Sequence, residues 1–104
     1  LKIEDKMDVI LNKRKKLNIN DGFGIQKSWE EIIEVLSKSE EETIIYLENC
    51  RKEDLYWISE VFEDIAENIQ SNELIRCLRK LDEKYPELEM KNDIDIAESY
   101  LEKF

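Results

Sequence analysis

The chain has 104 residues, 41% of them apolar and 40% charged, with a formal net charge of −10 and no histidine. That length supports one domain with a single core, and the missing imidazole removes Ser-His and Cys-His nucleophile systems. The negative charge disfavours nucleic acid and anionic membranes and favours basic proteins as partners, although solubility alone also accounts for it.

Two glycines and one proline are few for sheet turns, and Glu, Lys, Leu and Ile dominate, so the composition points to helices. Residues 3 to 17 place Ile3, Met7, Ile10, Leu11 and Leu17 at mostly helical spacing. The basic run Lys13-Arg14-Lys15-Lys16 then suits the negative pole of a helix C-terminus. Residues 1 to 20 carry Lys2, Lys6, Lys13, Arg14, Lys15 and Lys16 against Glu4, Asp5 and Asp8, a balance of +3, which leaves −13 for the rest. A basic N-terminal helix is therefore expected over 1–20. Its run lacks interleaved aromatics and reads as a helix end rather than a nucleic-acid site. NINDGFGIQK interrupts the pattern, so 21–27 is expected to form a loop, with Phe23 folded back onto the core.

An acidic helical body over 28–104 follows. Ser28 with Glu31 forms a capping box for a helix burying Trp29, Ile32, Ile33 and Leu36. Ser39 with Glu42 repeats the device for a helix burying Ile44, Leu47 and Cys50, with Tyr46 at the border. Residues 54 to 69 form the next helix. Ser71 opens another, which buries Leu74, Cys77, Leu78 and Leu81 and stops at Tyr85-Pro86. Asn92 or Asp93 caps a last helix carrying Ile94, Ala97, Tyr100, Leu101 and Phe104. The expectation is one all-α domain of about six helices, a compact bundle or a short stack of antiparallel hairpins. The hairpins would span about 28–50 and 54–85.

The stretch 54–69, DLYWISEVFEDIAENI, carries Asp54, Glu60, Glu63, Asp64 and Glu67 and no basic residue. On a wheel at about 100° per residue, Leu55, Ile58, Phe62, Ile65, Ala66 and Ile69 form a core face with Val61 at its edge. Tyr56 falls on the far side among Glu60, Glu63 and Glu67, and Trp57 lies at the border beside Asp64. Two readings stay open. Tyr56, Trp57, Glu60, Glu63, Asp64 and Glu67 form a docking face whose glutamates meet Lys or Arg of a partner. Alternatively, Tyr56 packs on another helix and the glutamates are merely solvated.

Other chemistry finds less support. Glu30, Glu31 and Glu34 form E-E-x-x-E, which with Glu60, Glu63 and Asp64 is similar to the magnesium helices of all-α nucleoside triphosphate pyrophosphatases. Here E-V-F-E-D puts the aspartate one place late, and Glu60 and Glu63 point away from the core face. This enzyme remains an alternative, as does a plain helical adaptor; no catalytic residue, metal or cofactor is expected. Cys50 and Cys77 lack metal-ligand spacing and read as reduced, partly buried thiols. D-G-F-G lacks the spacing and the Lys-Ser/Thr of a phosphate loop. No apolar run spans a membrane and no leader pattern is present, so the expected location is the cytoplasm.

The run YLENC-RKEDLYWISEVFEDIAENIQSNELIRCLRKLDEKYPEL resembles small acidic helical immunity proteins of polymorphic and contact-dependent growth inhibition toxin systems in low-GC Gram-positive bacteria. An acidic-aromatic helix, a helix ending K-Y-P-E-L and a short closing helix near Asp93 carry the likeness over about residues 42 to 101. The resemblance implies a cytoplasmic, non-enzymatic protein that sits on a cognate toxin domain and occludes its active site. Many such toxins are basic nucleases, which the acidic surface suits. The likeness is one of scaffold and transfers no individual residue.

Overall fold

A computed structural model describes residues 2–102, and every regular element among them is helical. The helices are α1 (Ile3–Lys16), α2 (Gly22–Leu36), α3 (Glu40–Asn49), α4 (Lys52–Ile58), α5 (Phe62–Ile69), α6 (Asn72–Lys84) and α7 (Lys91–Ser99). Single 3-10 turns at Ser59–Val61 and Pro86–Leu88 join α4 to α5 and follow α6. Counting the broken 52–69 helix once gives six helical segments, as the sequence pattern indicates.

Residues 21–27 do not form the expected loop. The chain turns at 18–21, where the Asn20 N–H donates to Asn18 Oδ1 at 2.8 Å and the Asp21 N–H to the Asn18 carbonyl at 2.9 Å. Asp21 then caps α2, its Oδ1 accepting from the Gly24 N–H at 2.9 Å. Residues 22–27 are therefore helical, and Ser28 is a buried residue inside α2 rather than its cap. Glycine costs about 1 kcal/mol in a helix interior, but Gly24 serves the cap. A Cβ there would lie 2.6 Å from Asp21 Oδ2. Phe23, in the first turn of α2, is 85% exposed and does not fold back onto the core.

Elsewhere the hydroxyl caps form as expected: Ser39 Oγ accepts from the Glu42 N–H at 3.2 Å, and Ser71 Oγ from the Leu74 N–H at 2.9 Å. The last helix starts earlier than the polar residues suggest. Met90, fully buried, occupies its N-cap position, so Asn92 and Asp93 fall within the first turn. Tyr100 is exposed rather than inward, and Phe104 lies outside the described residues.

One continuous core runs through all seven helices, from Met7 and Leu11 through Phe62 to Ile94. The most extensive packing joins α1 with α2 and α5 with α7; α6 lies against α3 and α7. The bundle is thus the realised alternative, and the sequential hairpins 28–50 and 54–85 are not its main packing units. The Thr43 hydroxyl ties α3 to the end of α2 by donating to the Leu36 carbonyl at 2.7 Å.

Tyr46 is buried rather than at the border, and among the described residues its hydroxyl finds no hydrogen-bond partner. Burial, with lesser contributions from the nearby Cys50 and Asp54, pushes the phenol well above its usual range. An unsatisfied buried hydroxyl costs about 1–3 kcal/mol. Tyr46→Phe should therefore raise the unfolding free energy by about 1 kcal/mol. A urea midpoint that falls instead would show that the hydroxyl is satisfied in solution.

Candidate functional site

The basic end of α1 does more than complement a helix dipole. Position 14 continues the buried Met7–Ile10–Leu11 stripe, and Arg14 is itself 93% covered, at 7% exposure. Its Nε donates to Glu60 Oε1 at 3.2 Å and its Nη2 to Glu60 Oε2 at 2.9 Å. This two-point geometry suits a planar guanidinium against a carboxylate. The guanidinium also lies 4.6 Å from the centre of the Trp57 ring, a separation at which the ring face attracts a cation. Trp29 completes the cluster, its indole N–H donating to Glu60 Oε1 at 3.2 Å. Next door, Lys15 Nζ lies 2.6 Å from Asp54 Oδ1, and Arg51 Nε donates to Asp54 Oδ2 at 3.1 Å.

Glu60 lies one turn after Tyr56, inside the 3-10 turn Ser59–Val61 that breaks 54–69 into two helices. The Ser59 hydroxyl donates to the Tyr56 carbonyl at 2.6 Å, and Val61 leaves helical geometry at φ −123°, ψ 17°. Three residues turning roughly 120° instead of 100° each rotate α5 about 60° relative to a continuous helix. Tyr56 and the glutamates after the break therefore do not share one row.

Around the cluster lies an open groove of about 440 Å³. Leu17, Ile19, Ile25, Trp29, Tyr56 and Trp57 supply its apolar lining, and the Arg14–Glu60 pair its polar wall. Tyr56 is 52% exposed and meets Trp57 edge-on, with ring centres 5.4 Å apart. Ile19 stands out further, at 88% exposure. Glu60 also belongs to a second, smaller pocket of about 80 Å³, shared with Ser59, Glu63, Asp93 and Ile96. Burial first, and then the Glu60 charge, raise the Asp93 carboxyl above its ordinary value.

Of the six residues expected at a docking face, the fold brings Tyr56, Trp57 and Glu60 to the groove and Glu63 to the adjoining pocket. Asp64 and Glu67 lie on α5 outside both. Tyr56 is thus open to solvent on an aromatic and aliphatic surface, with Glu60 as its one acidic neighbour in the groove. Sequence reading missed Arg14, Trp29 and the 17–25 corner. Arg14 was detectable, because it fills the gap in the stripe Ile3, Met7, Ile10, Leu17. The corner was not, because its exposed apolar residues follow no period.

The remaining chemistry-bearing groups do not assemble. Glu30 and Glu34 are exposed on α2, and among the described residues no three Asp, Glu or Cys side chains converge as a metal-ligand set. Cys50 and Cys77 are free thiols. Burial pushes Cys50 up to about 12 and Cys77 up to about 11, so both stay protonated and weakly nucleophilic at neutral pH. Among the described residues no helix is long and apolar enough to cross a membrane. Compared with family models, curated proteins and solved structures, the chain has no significant match.

Proposed function

We propose that this chain is a toxin-neutralising binding protein, which docks on a basic toxin domain, a nuclease by class, and covers its active site. One observation carries the reading: a groove built of two tryptophans and a half-exposed tyrosine stays open on a body of net charge −10. Aromatic side chains held rigidly at a surface are the usual anchors of protein interfaces. The surrounding charge speeds encounter with a basic partner, and desolvated anchors slow release. Exposed Ile19 and Phe23, at the α1–α2 corner, would extend the contact.

The roles of the acids divide. Glu60 is held by Arg14 and Trp29 and acts as scaffold. Glu63, Asp64 and Glu67 have no basic side chain within 4.0 Å among the described residues, which leaves them for a partner's cations. The magnesium pyrophosphatase alternative has less support, since Glu60 is engaged and the carboxylates do not converge. An adaptor would use the same surface and differs only in what it binds.

The test starts with co-purification of the partner from the cell that makes this chain, followed by an assay of the partner's toxicity. Tyr56→Ala combined with Glu63→Lys should weaken binding by roughly 30-fold or more, equivalent to about 2 kcal/mol at an interface anchor, with unchanged melting. Glu34→Lys, outside the groove, is the control. A harmless partner, or affinity indifferent to Tyr56 and Glu63, would refute the proposal. Glu60→Lys is unsuitable for this purpose because it breaks the Arg14 pair.

A further inference from the structure

We infer that the surface accepts a hydrophobic-cationic epitope: one apolar side chain seated between Trp29 and Tyr56, with a lysine or arginine of the same segment entering the Glu63–Asp93 pocket. The inference rests on the docking function proposed above and specifies the chemistry of what docks. The two cavities adjoin through Glu60, which lines both. On the groove side, Arg14 neutralises Glu60, so an apolar group placed there meets no unpaired charge. Beyond it, Glu63 has no basic side chain within 4.0 Å among the described residues, and Asp93 is crowded by Glu60 and by its own burial.

Size and charge sort the occupants. The larger cavity, about 440 Å³, holds a whole aliphatic or aromatic side chain, whereas about 80 Å³ admits little beyond an amine or guanidinium tip. A cation there meets the carboxylates of Glu63 and Asp93, both of which line that pocket. A second copy of this chain brings another −10 and is repelled. Nucleic acid and acidic peptides meet the same barrier. Because one side chain separates the seats, anchor and cation must lie close together, within about one helical turn or an extended tripeptide.

A random 12-residue peptide library displayed on phage and selected on the full chain tests the inference. Enriched sequences are expected to pair a large apolar residue with Lys or Arg no more than four positions away. Trp29 and Trp57 are the only tryptophans and both line the groove, so their emission reports binding of tryptophan-free synthetic versions. Glu63→Gln with Asp93→Asn changes two carboxylates outside the hydrogen-bonded cluster and should preserve the fold. It should weaken the cationic peptide about tenfold and leave its Lys→Leu analogue unaffected. Enrichment of acidic or cation-free peptides, equal weakening of both analogues, or no enrichment would overturn the inference. Each of those results leaves toxin neutralisation to be judged by the partner assay, while a harmless partner that carries the epitope would refute only the toxin reading.

Discussion

Arg14→Ala is expected to lower the unfolding free energy by about 2–3 kcal/mol, a large effect for a charged residue near a surface. The substitution removes two hydrogen bonds to Glu60 and the cation over Trp57. Hydrogen bonds to charged groups contribute about 1.5–3 kcal/mol each at best, and a partly covered cation–π contact about 1. The Glu60 side chain keeps 31% exposure and can be rehydrated, which holds the loss below that of a fully buried broken pair. Glu60→Gln should cost less, since an amide oxygen still accepts from Arg14 or Trp29. Urea unfolding followed by tryptophan emission measures both. An Arg14→Ala loss under about 0.5 kcal/mol would class the pair with ordinary surface salt bridges.

Asp54→Ala should cost about 2 kcal/mol through different terms. The side chain is 4% exposed, lies in the first turn of α4, and accepts from Lys15 and Arg51. Its charge complements the helix N-terminus as well as the two cations. Lys15 and Arg51 retain 24% and 61% exposure, so their release into water moderates the loss. Combining Arg14→Ala with Asp54→Ala should cost less than the two separately, because either change frees the same end of α1. Strict additivity would show that α1 is held mainly by its apolar stripe.

Much of this architecture is written locally. Ser39 and Ser71 precede helices whose third amide they accept from, and period 3.6 places Leu55, Ile58, Phe62 and Ile65 in the core on both sides of the break. The errors come where one local signal overrode another. Gly22 and Gly24 read as loop, but Asn18 and Asp21 had already made the turn and the cap. Tyr56 read as a residue among glutamates, because a wheel assumes constant phase and cannot see Ser59 and Val61 change it. Asp54, Arg14 and Tyr46 read as surface or border, because burial of a polar group depends on partners far along the chain. The groove itself joins α1, the 17–25 corner and α4, so no single window of sequence contains it.

The reach of those ion pairs also bears on the order of folding. Arg14 finds Glu60 across 46 positions and Lys15 finds Asp54 across 39. During synthesis, α1 leaves the ribosome well before either carboxylate exists, with its basic end unmatched. Those two pairs are long-range closures, entropically slower than the packing of α1 on α2, its neighbour in the chain. The aromatic groove needs both ends of the Arg14–Glu60 closure and is therefore expected to form after the α1–α2 contact.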